Sequence, residues 1–468
     1  MRITKLELKN IGPFEDAVFE IPPAPGPGEV VLFEGPNGSG KTTIAEAIAA
    51  FIVMADVSDS AWSKDGVSFA RRRSNNEAIA PSTLLGGRTV KSTLRRIRAN
   101  ACVAHLSYRD GEGDDRVHLR RDADLGIKIH DGAPWRLAPL GISQAEGQVE
   151  AAFAYRSHHP SPSMKVAGPK ELDLDPLRGA LTFDGDSHAS DHFAQFLTNL
   201  EYDRVRAETY AREQPAAEEY TRAATSARDA IARIEHVLSR VLDRRVEVRF
   251  PFRQTAPQIL FDGDEVPIEM LGEGMRATVS WLADLLVRLE RITWADTARS
   301  PLDQDFWLIL DEIDQGLHPQ LQMRLFPALR ELFPRARIYA TTHSPFVVAS
   351  LGDGVVFPIR PDAKTHRVSG TVPPKPLRPG QSLALVVEDI FETPSDFIDD
   401  ATRDALDRHR ASVDAIRRGA AIDWHALRSD RAFLLGLNDE VATIVAMREV
   451  PARKLIEAGL ASIAEAAE

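Results

Sequence analysis

A glycine-rich segment near the N-terminus has the residue types and the spacing of a phosphate-binding loop. Gly35-Pro-Asn-Gly-Ser-Gly-Lys41-Thr42 fits the pattern G-x-x-x-x-G-K-[ST] between an apolar run and a helical one. The glycines let successive backbone N–H groups turn inward around a phosphate, and the helix N-terminus adds partial positive charge. The segment predicts an ATP site with the nucleotide-binding residues Gly35, Pro36, Asn37, Gly38, Ser39, Gly40, Lys41, Thr42 and Thr43.

Two of these side chains have separate roles in the predicted chemistry. Lys41 is expected to reach the β- and γ-phosphates, and Thr42 is expected to bind Mg²⁺ through its hydroxyl. The alternative interpretation is a glycine-rich turn that binds no ligand. The strand and helix predicted on either side favour the nucleotide site.

A second candidate centre lies at the end of the apolar run Trp307-Leu-Ile-Leu-Asp311-Glu312. Asp311 suits an outer position around Mg²⁺, beyond its direct ligands, so we predict it as a metal-site residue, and Glu312 suits polarisation of the attacking water. Many strands end in acidic turns, so the pair gains its meaning from the phosphate-binding loop. Together the two motifs predict hydrolysis of the bound nucleotide.

Two further segments have weaker signals. Gly272 and Gly274 precede a predicted amphipathic helix, Met275–Trp294, and Arg276 lies in its first turn. A glycine-flanked helix N-terminus suits a γ-phosphate held by a second subunit. Read alone, this segment is only a loop with two glycines. His343 follows a predicted strand; a lone histidine is usually structural, but its place after the Asp-Glu strand favours a catalytic contact with the γ-phosphate.

These motifs together resemble the ABC-class ATPases related to SMC and RecF proteins. The resemblance rests on Ile3–Phe14, the phosphate-binding loop, Leu310–Pro319 and Thr342–Pro345. It is closest to the compact "AAA family ATPase" branch, which includes ATPases of anti-phage systems such as Septu and PARIS, retron-associated ATPases and the OLD nucleases. Residues 1–60 and 265–350 carry it firmly.

The resemblance implies a homodimer in which two subunits sandwich two ATP molecules. It assigns His343 as a switch histidine and Asp314 to the loop that links the two sites. The family usually has Ser where this chain has Gly272, so a trans contact is missing or is replaced by Arg276 or a backbone N–H. Gln144 and Gln148 are the candidates for a further family glutamine.

The hydrophobic pattern predicts an α/β P-loop NTPase of the ABC/SMC-like head type, with a parallel core sheet and an antiparallel β subdomain. Buried strands are expected at Val30–Phe33, Phe306–Leu310 and Arg337–Ala340, and helices at Thr43–Met54 and within Glu201–Leu242. The predicted divisions are an N-terminal ATPase lobe (1–130), an irregular and helical insertion (131–245), a C-terminal ATPase lobe (246–372), and a Pro-rich linker with a helical tail (373–468).

Composition limits the classes of function. The net charge of −12 implies no general affinity for polyanions, and a single cysteine, Cys102, excludes an intramolecular disulfide. The sequence contains no apolar run of about 18 residues, the length that would predict a membrane span. The expectation is a cytoplasmic protein without a membrane partner.

Two local clusters leave alternatives open. Residues 64–98 carry nine Lys or Arg, including Arg71, Arg72 and Arg73 and ending at Arg98, against Asp65 and Glu77. They predict a contact with DNA or RNA, or else a solvated face or intersubunit ion pairs. His188 and His192 are four residues apart and could ligate a metal, but the neighbouring Gly185 and aspartates favour a turn that caps a helix.

Three functions compete. The first is an ATP-gated sensor or clamp in phage defence or DNA repair that controls a separate effector, which we expect to be a nuclease. The second is an ATP-dependent scaffold that holds or inhibits a partner without contacting nucleic acid, which salt-dependent DNA binding would distinguish. The third, a transporter ATPase subunit, is disfavoured by the SMC-like N-terminal segment. A built-in nuclease is also disfavoured, because the residues after Leu385–Asp389 look helical and no Asp-x-Asp strand end, which could cluster carboxylates around a metal, follows.

Overall fold

The structure of the chain, a computed structural model, covers the main nucleotide-binding motifs. It describes residues 2–54, 57–63, 66–72, 103–110, 113–122, 126–128, 151–157, 160–172, 174, 176–177, 180–181, 183, 189–214, 217–252, 256–391, 400–437 and 439–465. These residues fall into two units, Met1–Phe391 and Glu392–Glu468.

The described residues form both strands and helices, and the two types alternate between Glu273 and Pro358. The strands are β1 (Arg2–Ile11), β2 (Phe14–Glu20), β3 (Glu29–Glu34), β4 (Val57–Ser63), β5 (Gly66–Arg72), β6 (Val103–Asp110), β7 (Gly113–Asp122), β8 (Gly126–Lys128), β9 (Ala151–Arg156), β10 (Val246–Arg249), β11 (Gln258–Phe261), β12 (Asp264–Glu265), β13 (Phe306–Asp311), β14 (Arg337–Thr342), β15 (Val355–Pro358), β16 (Val368–Val372) and β17 (Lys375–Pro376). The α-helices are α1 (Lys41–Met54), α2 (Ala189–Glu213), α3 (Glu218–Leu242), α4 (Glu273–Arg291), α5 (Pro319–Leu332), α6 (Pro345–Ser350), α7 (Leu383–Asp389), α8 (Asp400–Arg417), α9 (Trp424–Leu435), α10 (Asp439–Glu449) and α11 (Arg453–Glu465). In the described ranges, no helix is both long and apolar enough to cross a membrane.

The three buried runs of the sequence form neighbouring strands of one sheet. Its order is β17-β15-β3-β14-β13-β9, and every pair from β15 to β9 is parallel. Strands β3, β13 and β14 are buried at every position, as expected when both faces of a parallel sheet are covered. The predicted parallel core is therefore confirmed.

Alternate residues of these strands enter two different cores. In β3, Val30 and Leu32 join the cluster formed with α2 to α5, whereas Val31 and Phe33 join the cluster formed with α1, β1 and β2. The period of two residues is that of a strand with opposite faces both packed. Helix α1 thus lies on one face of the sheet and α4 on the other.

A second sheet forms the predicted antiparallel subdomain. Its order is β16-β2-β1-β6-β7-β8, and all its pairs are antiparallel except β16 with β2. Strands β6 and β7 are antiparallel neighbours, and Asp110 pairs with Gly113 at their connected ends. The long helical stretch predicted after residue 201 is two helices, α2 and α3.

The interpretation of residues 131–200 as irregular was wrong at Ala151–Arg156. This segment is β9, which pairs in parallel with β13 and brings Arg156 opposite Asp311. The sequence Ala-Ala-Phe-Ala-Tyr-Arg contains no β-branched residue, so its strand propensity is weak. Burial in the sheet decides the conformation instead: Ala151–Tyr155 are all buried.

The interpretation of residues 373–380 as an extended linker was also wrong. Strand β17 pairs with β15, and the Leu377 N–H donates to Gly354 O at 3.0 Å. Leu377, Val386 and Ile390 then enter the main core cluster. Proline is tolerated here because β17 lies at the edge of its sheet.

The C-terminal unit has small cores of its own. Leu406, Leu434 and Val445 share one apolar cluster, and Leu427 and Ile456 belong to another. The helical content predicted for the tail is confirmed by α8 to α11. Each unit therefore has internal packing of the kind that lets a unit fold separately.

The position of α7 gives a prediction about truncation. A chain ending at residue 391 should stay soluble, whereas one ending at residue 382 should lose about 3–6 kcal/mol of unfolding free energy, because Val386 and Ile390 no longer fill the core. Urea unfolding of both truncations measures the difference. Leu385 is half exposed on the same helix, so Leu385→Ala is the matched control and should change little. Equal stability of the two truncations would contradict the placement of α7.

Candidate nucleotide-binding site

The loop between β3 and α1 has a backbone that side chains would disrupt. A Cβ at Gly35 would lie 2.6 Å from Ser39 Oγ, and one at Gly40 would lie 2.6 Å from Pro13 Cγ. Gly38 and Gly40 have φ of +81° and +104°, which L-residues rarely adopt. Pro36, Asn37 and Gly38 are exposed at the tip of the loop. The loop has the compact, glycine-dependent form expected of a phosphate cradle.

Lys41 is buried under this loop. Its Nζ donates to Gly35 O at 2.8 Å and to Pro36 O at 3.2 Å, and it lies 3.3 Å from Glu312 Oε1. The side chain is only 3% exposed. A buried ammonium needs an anion and hydrogen-bond acceptors, and here the loop carbonyls and Glu312 supply them.

Thr42 and Asp311 meet at the start of α1. Thr42 Oγ1 donates to Asp311 Oδ1 at 3.2 Å, and Thr341 Oγ1 donates to the same oxygen at 2.7 Å. A hydroxyl and a carboxylate are the oxygen donors that Mg²⁺ prefers. Thr43, in contrast, packs against Gly12 in the turn between β1 and β2, where a Cβ at Gly12 would lie 2.8 Å from Thr43 Oγ1.

Glu312 has an unusual backbone for a bulky residue, with φ of +53°. Its N–H donates to Thr341 O at 3.2 Å and to Thr341 Oγ1 at 3.0 Å, which holds the turn. His343 Nδ1 lies 3.9 Å from Glu312 Oε1, a distance of an ion pair rather than a hydrogen bond. The strands β13 and β14 thus bring two residues from separate motifs to one point.

The charges around Glu312 shift its titration. The interaction with His343, aided by the Lys41 charge and opposed by burial, lowers the pKa of the Glu312 carboxyl to about 2. In return, Glu312 raises the pKa of the His343 ring above its ordinary value. At neutral pH the carboxylate is ionised and can accept a proton or orient a water.

Local caps fix the segment that carries His343. Ser344 is the N-cap of α6, and its Oγ accepts from the Val347 N–H at 3.3 Å. Ser344 Oγ also donates to Gln322 Oε1 at 2.6 Å, which ties the segment to α5. His343 itself is 43% exposed at the side chain and so faces solvent as well as Glu312.

The segment Gly272–Arg276, called the signature segment below, lies beside the loop that follows Glu312. A Cβ on Gly274 would collide with Gly316 O, so α4 begins in close contact with that loop. Asp314 in the same loop is buried, accepts from Thr342 Oγ1 at 2.7 Å, and has its pKa raised by burial. Among the described residues, no hydrogen bond or ion pair joins Gly272, Gly274 or Arg276 to Lys41 or Asp311.

Arg156 and Glu46 belong to the site although the sequence did not indicate them. Arg156 Nε donates to Asp311 Oδ2 at 2.9 Å, and Arg156 Nη2 donates to Glu46 Oε1 at 3.1 Å. The only signal was an arginine that ends an apolar run, and that run was not recognised as a strand.

Several predicted features lie outside the described residues. They include Gln144, Gln148, Cys102, His188 and the run 73–98. Arg71 and Arg72 are described only as the end of β5. No group of three or more His, Cys, Asp or Glu able to hold a metal occurs in the part of the chain that the structure describes.

The residues present fit a nucleotide with Mg²⁺. The cradle accepts no Cβ at Gly35, and Ser39 Oγ is buried without a hydrogen-bond partner among the described atoms. The cation Lys41 and the donors Thr42 and Asp311 are grouped beside that cradle. This combination suits a phosphate with a divalent cation.

Comparison with known proteins agrees with this arrangement. Residues 170–349 match a family model described as "AAA domain, putative AbiEii toxin, Type IV TA system", and residues 5–115 match one described as "AAA domain". Two segments of the chain are thus similar to AAA domains. The two matched ranges contain the phosphate-binding loop, Gly272–Arg276, Asp311–Glu312 and His343.

The relatives that the chain matches are distant in sequence. The chain is 27% identical to "Retron Ec83 probable ATPase" of Escherichia coli over 37% of this chain and 32% of that one. It is 29% identical to "Septu protein PtuA" of Bacillus thuringiensis over 22% of this chain and 26% of that one. The matched part thus spans about a third or less of each relative. The SMC head domain from Thermotoga maritima superimposes with a TM-score of 0.37 at 14% identity, over 81% of this chain and 100% of that one.

The Glu312–His343 contact predicts a pH dependence of stability. The pKa of His343 is raised in the folded chain, so protonation of its ring stabilises the fold. This stabilisation is fully present below about pH 6.5, the ordinary pKa of a histidine ring. That contribution is lost as pH rises through the folded-state pKa. NMR titration should therefore find the His343 pKa above 6.5, and Glu312→Gln should lower it.

The control for this titration is Glu331→Gln. Glu331 pairs with Arg240 on the surface, so its neutralisation should leave the His343 titration unchanged. A His343 pKa that does not respond to Glu312→Gln would contradict the contact.

Proposed function

We propose that this chain binds ATP with Mg²⁺ and hydrolyses it, and that two copies form an ATP-gated sensor or clamp in phage defence or DNA repair. In this proposal the nucleotide state controls a separate effector protein, a nuclease. The site described above supports the nucleotide chemistry. The relatives named as a retron probable ATPase and a Septu protein support the biological setting.

The observation that carries the proposal is the buried ion pair of Lys41 with Glu312. The ammonium already sits beneath the phosphate-binding loop, and its anion is the carboxylate expected to act on water. Phosphates in the loop would offer Lys41 a second anion, so the ion pair can open. Glu312 is then available to a water molecule.

Opening that ion pair also changes the basicity of Glu312. Lys41 is one of the charges that hold the pKa of Glu312 down, and nearby phosphate oxygens would raise it. A carboxylate whose pKa returns toward its ordinary range accepts a proton more readily. Glu312 would therefore orient and deprotonate water better with nucleotide present than without it.

Thr42 and Asp311 are the residues that would hold Mg²⁺. Asp311 Oδ1 already faces the Thr42 hydroxyl at 3.2 Å, so both donors point to one place. The ion, when bound, supplies positive charge that polarises the phosphoryl group. Thr341 fixes the Asp311 carboxylate from its other side through a 2.7 Å hydrogen bond.

The dimeric arrangement is supported by the position of the signature segment. The N-terminus of α4, with Gly272 and Arg276, offers N–H groups and positive charge of the kind that bind an anion of a second subunit. This segment also contacts the loop of Asp314, so a movement at one nucleotide site of the dimer would be transmitted to the other. Nucleic acid near Arg71–Arg98 is part of the same proposal.

Glu312→Gln is predicted to retain ATP binding and to lose turnover by about 10² or more, since the water is no longer polarised. Steady-state phosphate release and calorimetric ATP binding measure the two effects. Lys41→Ala is the matched control: it should lose binding as well, because the charge facing the phosphates is gone.

The same variant reports on the dimer. Glu312→Gln with ATP should elute from a sizing column as a dimer, because the sandwich is no longer opened by hydrolysis. Turnover in Glu312→Gln equal to that of the natural chain would show that another group activates the water.

A further inference from the structure

Arg156 is placed where a metal ion would compete with it. The guanidinium donates to Asp311 Oδ2 at 2.9 Å, while the other oxygen of that carboxylate faces Thr42 and Thr341. It also donates to Glu46 Oε1 at 3.1 Å on the phosphate-loop helix. One cation is therefore shared between the predicted metal carboxylate and a second buried carboxylate.

The charges at this end of the sheet nearly cancel. Glu46, Asp311 and Glu312 are three carboxylates, and Lys41 and Arg156 are the cations that contact them. Glu46 and Asp311 are 5% and 1% exposed, so water screens them little. Without Arg156, the two carboxylates would present a strongly negative site to any divalent cation.

The surrounding packing holds Arg156 in place. Its neighbour Tyr155 is fully buried and donates from its hydroxyl to Asp284 Oδ2 at 2.8 Å. Arg288 Nε donates to the same oxygen at 2.7 Å, which anchors the end of β9 to α4. The guanidinium also lies 5.2 Å from the centre of the Phe183 ring.

We propose that Arg156 sets the divalent-cation requirement of the nucleotide site. By holding one oxygen and much of the charge of Asp311, it keeps a metal ion from binding until phosphates add negative charge of their own. The inference rests on the proposed nucleotide site and assigns Arg156 as a positioning residue, not a ligand of the metal. It makes cation binding depend on nucleotide.

The test is the Mg²⁺ dependence of binding of a fluorescent ADP analogue. Arg156→Gln should lower the half-saturating Mg²⁺ concentration by about tenfold or more. One unit charge about 6 Å from a divalent ion gives about that factor even at the dielectric constant of water, and this site is screened less. Glu46→Gln should raise it, because Arg156 then pairs with Asp311 alone. The double variant restores the original net charge and should return close to the natural value.

The control is Arg233→Gln. Arg233 forms the same kind of pair with Glu290 between α3 and α4, and its loss should leave the Mg²⁺ midpoint unchanged.

A second measurement is Mn²⁺ binding without nucleotide, followed by electron paramagnetic resonance. Arg156→Gln should bind Mn²⁺ more tightly than the natural chain does.

The sign of the change separates this proposal from a structural role. If Arg156 only shaped the site, Arg156→Gln would raise the Mg²⁺ midpoint, and that result or an unchanged midpoint overturns the inference. If Arg156→Gln does not fold, a midpoint that fails to rise in Glu46→Gln overturns it. If the natural chain binds no nucleotide at any Mg²⁺ concentration, the proposed function fails, and the Mn²⁺ measurement still decides the role of Arg156.

Discussion

The buried charge of Lys41 is the constraint around which this end of the molecule is organised. An ammonium that is 3% exposed is costly unless acceptors and an anion surround it. The carbonyls of Gly35 and Pro36 and the carboxylate of Glu312 meet that need together. The glycine-dependent turn and the left-handed backbone at Glu312 place these acceptors around one charge.

The parallel sheet is what makes this meeting possible. Thr42 and Asp311 are 269 residues apart in sequence yet within hydrogen-bond distance. Strands β3, β14 and β13 are adjacent and parallel, so their carboxyl ends lie at one edge. In open α/β sheets ligands bind outside those ends, which agrees with the position of the phosphate-binding loop. Asp311, Glu312 and His343 are therefore placed by strand order and not by local sequence.

Much of this site was predictable because its motifs are short and chemically demanding. Gly38 and Gly40 require positive φ, and the apolar strands before Lys41 and before Asp311 read as buried from composition alone. Arg156 was not predictable, because its role depends on which strand lies next to β13. Ala151–Tyr155 carries a weak strand signal, and no local rule pairs it with a strand 155 residues away. The role of the Pro-rich segment was misjudged for a similar reason, since edge pairing with β15 is a tertiary property.

The central claim is that the Lys41–Glu312 ion pair occupies the place that phosphates take. A crystal structure of the chain with a non-hydrolysable ATP analogue and Mg²⁺ tests it most directly. We predict that Lys41 Nζ leaves its 3.3 Å contact with Glu312 for the β- and γ-phosphate oxygens, with Thr42 and Asp311 at the ion. A bound analogue whose phosphates lie away from the loop while Lys41 still contacts Glu312 would contradict it.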